Sequence, residues 1–190
     1  SIPLILGNML QQLYNTVDSI VVGNFLGSEA LAAVGSSSSL IMLLISFSMG
    51  AAAGAGVIVS QFIGAQNKKG IHESVHTALA IALILGVVLT AAGLILSPQI
   101  LRWMGTPEEV MPQSITYLRL YFAGVIFSIL YNMASGILNA VGNSKRALLY
   151  LAIASFTNII LDLLFIPVLK MGIAGAAIAT DISQLLSAVL

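Results

Sequence analysis

All three aspartates of this sequence, Asp18, Asp162 and Asp181, fall inside long apolar runs. A charge at bilayer depth costs about 2.5–3.5 kcal/mol even on a lenient insertion scale, so each is a functional candidate by default. Polar partners recur beside them at helical spacing. Asn158 lies four residues before Asp162, with Ser155 a turn earlier, so the three project from one helix face. Gln11, Asn15 and Asp18 follow one another at four and three, and Thr180, Gln184 and Ser187 do the same. Ser128, Tyr131, Ser135 and Asn139 make a fourth stripe. Two carboxylates close together in a low-dielectric pocket cannot both keep their charge without a counter-charge. They share a proton or hold a hard cation, Asn and Thr oxygens completing the shell, and the titration belongs to the pair. Such a site can exchange H⁺ for Na⁺ or for a cationic substrate, which is the chemistry of an ion-coupled antiporter.

The four polar stripes imply a water-accessible cavity lined by Gln11, Asn15, Tyr131, Ser135, Asn139 and Gln184. Interhelical hydrogen bonding is the other use of such residues and is the stronger reading for the helix-four stripe. A different chemistry is suggested by His72-Glu73-Ser74-Val75-His76, which fits the HExxH pattern of zinc proteases. An intramembrane protease would need Asp162 as third ligand. Asp162 lies 17 residues into its helix from the basic end, roughly 25 Å from the histidines in height, while a zinc ligand sits at about 2 Å. The histidines therefore read as interfacial residues.

The elements that must position these groups follow from composition. The chain has 190 residues, 58% of them hydrophobic and 7% charged, with mean hydropathy +1.04. Soluble domains carry about 25% charged residues, so this chain reads as an integral membrane protein. Zero net charge offers no basic stripe for nucleic acid. Without cysteine there is no disulfide, thiolate metal site or Cys nucleophile. Ser1-Ile2-Pro3 brings no charged leader region, and the sequence reads as starting just inside a hydrophobic helix.

A spanning helix takes about 20 mostly apolar residues. Charged and Gly/Pro punctuation divides the chain into six such segments, at about 3–26, 30–64, 71–96, 112–141, 145–169 and 172–190, the sixth cut at the C-terminus. The fold class expected is an all-α membrane protein, a single unit over 1–190. Between segments three and four, Pro98, Gly105 and Pro107 predict a loop over Ser97–Met111, with Trp103 as interfacial anchor. Lys68, Lys69, Lys145 and Arg146 lie on one side, against Arg102 and Lys170 on the other. The positive-inside rule then puts the first set and the amino terminus in the cytoplasm. Asp18 lies eight residues before Leu26, Asp162 seven before Leu169, and Thr180 eight past Gly172. At about 1.5 Å per residue, all three sit roughly 10–12 Å below the outer surface. Thr180 and Asp181 are about 100° apart around their helix, so only one can point squarely at Asp162, and Thr180 is the preferred ligand. Gly50, Gly54, Gly56, Gly172 and Gly175 read as sites of close helix packing.

The stretches VDSIVVGNFLG, GAGVIVSQFIGAQNKKG, SGILNAVGNSKRAL, TNIILDLLFI and GIAGAAIATDISQ together resemble the multidrug and toxic compound extrusion (MATE) family, its bacterial members most closely. The resemblance implies one six-helix lobe, the amino-terminal one, of a twelve-helix transporter with two lobes across a central cleft. It implies a proton- or sodium-coupled antiporter exporting lipophilic organic cations across the inner membrane, without a cofactor and without enzymatic activity. The cation site it carries over is Asp18, Asn158, Asp162 and Thr180. The partners it implies are cationic drugs, membrane lipids, and a second lobe or a second copy of the chain. Leu163 departs from the Pro found there in many members, which implies a straighter fifth helix. A lipid-linked oligosaccharide flippase shares the architecture, but its pyrophosphate cargo calls for inward-facing basic residues, and the intramembrane charges here are acidic.

Overall fold

A single residue, Gly27 at φ 86°, separates the first two helices. Side chains with a Cβ rarely take that conformation, so glycine makes the reversal tight. The structure is a computed structural model and describes residues 2–190. It contains α1 (Ile2–Leu26), α2 (Ser28–Gly64), α3 (Lys68–Trp103), α4 (Met111–Ala140), α5 (Ser144–Leu163) and α6 (Ile173–Val189). A π-helical turn at Leu164–Val168 extends α5. Asn67 starts α3 by accepting a hydrogen bond from Gly70 N at 2.9 Å, the role of an N-cap side chain.

Helix α4 is the hub, packed against α2, α3 and α6, while α1 leans mainly on α5. Phe122, Val125 and Ile129 of α4 meet Leu44 of α2 and Ala82 and Leu101 of α3 in one buried cluster. A second cluster joins Val21 and Val22 of α1 to Ala33 of α2, Tyr117 of α4 and Ala176 of α6. Lipid gives helices no hydrophobic drive toward each other, so small residues that allow close approach matter more than bulk. A Cβ at Gly93 would run into the Phe122 ring, and one at Gly136 would come within 2.6 Å of Ala52 O. The outer faces carry exposed Met42, Phe47, Ile84, Val87, Ile95 and Ile160, suited to acyl chains.

Among the described residues, four helical stretches are long and apolar enough to cross a membrane: α2, α3, α4 and Ser144–Val168. The chain is thus an all-α, multi-pass membrane protein. Two of the six expected segments fall outside that set. α6 is apolar but has 17 residues, and α1 carries Gln11, Gln12, Asn15, Thr16, Asp18 and Ser19 within nine positions.

The expected loop over Ser97–Met111 is shortened to 104–110, because α3 continues through Pro98 to Trp103. Proline removes the N–H that would bond Leu94 O, and Arg119 of α4 replaces it, Nε donating to that carbonyl at 3.1 Å. The fifth helix closes on the π turn. It lacks Pro at Leu163, but Pro167 has no N–H to give, and the chain widens until Leu169 N bonds Leu164 O at 2.9 Å. Among the glycines, Gly56 does pack closely, 3.0 Å from Gly136 O to an added Cβ, as does Gly175 against Phe165. Gly50 and Gly54 face open space, and Gly172, at φ 62°, makes the turn into α6. The tightest approaches involve Gly70, Gly93 and Gly124, which lie in less obviously glycine-rich sequence.

Candidate functional site

Asp18 comes from the last third of α1, Asn158 and Asp162 from the last two turns of α5, and Thr180 from the middle of α6. All four are buried, with relative exposures of 8%, 1%, 0% and 9%. The carboxyl groups of Asp18 and Asp162 are close neighbours. Asn158 Nδ2 donates to Thr180 Oγ1 at 3.4 Å, and the Thr180 hydroxyl donates in turn to Ala176 O at 3.1 Å. The threonine oxygen is therefore oriented with its lone pairs toward Asn158.

The oxygens left over define what the arrangement can do. Asp18 Oδ1, both oxygens of Asp162 and Asn158 Oδ1 are buried without a hydrogen-bond partner among the described residues. Buried polar atoms normally find partners, and an unmatched set points to a missing ion, proton or water. Among the described residues the one ion pair is exposed, Lys69 with Glu73 at 3.7 Å, so neither buried aspartate has a basic partner. Four acceptor oxygens and the threonine hydroxyl suit a proton shared between the carboxyls or a small hard cation.

Asp181 points elsewhere. Its carboxylate occupies the notch left by Gly124 of α4, where any Cβ would collide with it. Thr180 is the residue of this pair that reaches Asn158.

Gln11, Tyr131, Ser135 and Asn139 all line one cavity of about 640 Å³ between α1, α2, α4 and α5. Asn15 is exposed on the outer side of α1 and does not line it, a correction with a plain geometric cause. Tyr14, not Asn15, shares the inner face with Gln11 and Asp18, since positions 11, 14 and 18 keep the three-and-four spacing. Gln184 is buried but likewise off the cavity wall, lying against Tyr14. The wall carries no charged side chain among its described residues. The aspartates sit beyond it, and Tyr14, beside Gln11, Gln184 and Asp18, bridges cavity and carboxyl pair. Tyr117, buried on α4, neighbours both Asp18 and Asp162. Neither tyrosine stands out in sequence, because a tyrosine in an apolar run also reads as ordinary core.

Among the described residues, the histidines of the HExxH pattern belong to no cluster of three or more metal-ligating side chains. Their rings stack with centroids 4.1 Å apart, His76 Nδ1 is taken up by His72 O at 2.8 Å, and Glu73 pairs with Lys69.

The MatE family model matches residues 3–164. The chain is 39% identical over 184 residues to the probable multidrug resistance protein YpnP of Bacillus subtilis (strain 168), covering 97% of this chain and 41% of that protein. It is 28% identical to an FAD transporter of Shewanella oneidensis, covering 98% of this chain and 42% of the relative. A crystal structure of MATE in the bent conformation superposes with a TM-score of 0.94 at 36% identity, covering 100% of this chain and 42% of that one. The chain thus spans about two fifths of the length of the proteins it matches. These relatives are transporters, which removes the protease reading and leaves no enzymatic activity to assign. By its fold, its family match and its relatives, the chain belongs to the MatE family of membrane transporters.

Proposed function

We propose that this chain, residues 1–190 as one unit, forms the amino-terminal lobe of an H⁺- or Na⁺-coupled antiporter that exports lipophilic organic cations. The observation that carries the reading is the buried Asp18–Asp162 pair, with Asn158 and Thr180 beside it and no basic residue to neutralise it. A carboxyl pair in low dielectric takes up a proton or a cation and releases it when geometry or solvation changes. That makes a coupling device when the same movement opens or closes a substrate cavity.

Substrate enters the 640 Å³ cavity, where Gln11, Gln61, Asn132 and Asn139 offer hydrogen bonds and Met49, Val57 and Leu148 offer apolar surface. Cation preference comes from the field of the two carboxyls behind Gln11 and Tyr14. The cargo of the FAD-transporting relative is anionic. The described cavity wall has no basic residue to meet such a cargo or the pyrophosphate of a flippase substrate, so cations are favoured here.

Gln61, near the end of α2, and Ser144, at the start of α5, line the same cavity. Lys68–Lys69 and Lys145–Arg146 therefore lie at one end of the bundle, which we assign to the cytoplasmic face of the inner membrane, with the amino terminus. The test is dye flux in vesicles carrying the complete transporter under an imposed pH or Na⁺ gradient. Export of a cationic dye should follow one of the two gradients. Flux indifferent to both, or confined to anionic compounds, would reject the assignment.

A further inference from the structure

Lys68, His72 and His76 lie on three successive turns at the start of α3, spaced four and four, and so share one helix face. Together with Ile71 and Val75 they line a groove of about 320 Å³ on the outside of the bundle. Nothing in the coupling site uses it. Helix α3 has 36 residues, a length of about 54 Å, against a hydrocarbon layer of about 30 Å. Its first turns therefore stand in the headgroup region. The eight residue steps from Lys68 to His76 cover about 12 Å of depth there.

The charge around the groove is one-sided. Glu73, the acidic residue of this stretch, is engaged by Lys69 at 3.7 Å. The helices packed on α3 add no charge at this end: α2 has a single charged residue, Glu29, at its far end, and α4 has only Arg119, bonded to Leu94 O. We propose that this groove holds the headgroup of an anionic phospholipid, its phosphate met by Lys68, His72 and His76 and its glycerol and upper acyl segments by Ile71 and Val75. The occupant is fixed by charge complementarity and by depth. A soluble anion would have no use for the apolar half of the groove, and a neutral lipid none for the three basic groups.

A carbonyl oxygen only accepts, so His76 Nδ1 donates to His72 O, and Nε2 is the ring nitrogen left for a ligand in the groove.

The test is anisotropy of fluorescent phosphatidylglycerol or phosphatidylcholine with the protein in neutral detergent. Phosphatidylglycerol should bind about fivefold more tightly than phosphatidylcholine, one basic group near a membrane surface contributing about that factor. Lys68→Gln should weaken phosphatidylglycerol binding about fivefold, and His72→Gln/His76→Gln should weaken it as well. Lys145→Gln/Arg146→Gln, at the same end of the bundle, serves as the control for non-specific attraction and should leave binding near the native level. The substituted side chains are exposed, and unchanged thermal unfolding verifies the fold. Equal affinity for the two lipids, undiminished binding by His72→Gln/His76→Gln, or an equal loss in the Lys145/Arg146 control would overturn the proposal. Displacement of the lipid by glycerol phosphate at similar concentration would do so as well, since it would make the groove a soluble-anion site.

Discussion

Thr180 and Asp181 are neighbours in sequence and face different helices, so they separate ligand from packing at single-residue resolution. Thr180 Oγ1 meets Asn158, whereas the Asp181 carboxylate is lodged against Gly124. Thr180→Ala removes one oxygen beside the carboxyl pair and should weaken apparent ion affinity about fivefold, the value of one hydrogen-bond-scale interaction. Asp181→Asn, nearly the same shape, should leave it within about twofold on the same scale. Ion dependence of dye efflux in the complete transporter checks both, and the reverse order would mean that Asp181 is the ligand. Tyr14 offers a second probe, since it shares the inner face of α1 with Gln11 and Asp18. Tyr14→Phe should preserve dye binding while slowing gradient-driven turnover, the mark of a residue that links two sites. The carboxyls themselves were legible in sequence because a membrane makes any charge conspicuous. Tyr14 and Tyr117 were not, since an aromatic ring is at home in an apolar helix. Asn15 misled for the opposite reason: three-and-four spacing admits two neighbouring faces, and packing against α5 selected the one with Tyr14.

At the scale of elements, hydropathy and punctuation located the helices, but proline and glycine marked breaks that tertiary contacts override. Pro98 predicts the end of α3, and Arg119 on another helix lets it run on by bonding the orphaned Leu94 carbonyl. No local pattern could show that, because the partner lies 25 residues away. Arg119→Met should lower stability by about 1 kcal/mol. Pro98→Ala, which restores the N–H to Leu94 O, should make the same change nearly silent. Thermal unfolding of the two single variants and the double variant measures the coupling, and additive losses would show that Arg119 acts otherwise. The packing glycines follow the same logic. A Cβ at Gly93 has nowhere to go but the Phe122 ring, so Gly93→Ala should destabilise by about 1–3 kcal/mol. Gly50→Ala, in open space, should not. Glycine-rich sequence drew attention to α2, while the closest contacts that need glycine lie along α3 and α4, where the glycines stand singly.

For the whole molecule, the chain matches about two fifths of the length of its relatives. Alternating access moves one repeat against another around a central site. The described fold supplies one set of helices and one cavity, so we expect vesicles holding only this chain as a monomer to show no saturable, gradient-coupled dye uptake. Addition of a second lobe or a second copy should restore it. The overall architecture was readable from composition and segment lengths, because so few charges leave no other fold class open. How the bundle opens was not readable, since α1 and α5 part from α2 and α4 through packing that no linear pattern encodes. The central claim is that Asp18 and Asp162 act as one coupling unit, and the direct measurement is dye efflux by the complete transporter under an imposed ion gradient, at matched protein levels. Asp162→Asn and Asp18→Asn should each abolish gradient-driven efflux, and the double variant should be little worse than either, because two residues sharing one titration fail together. Near-normal efflux by Asp162→Asn, or losses in the two single variants that simply add in the double, would contradict the account.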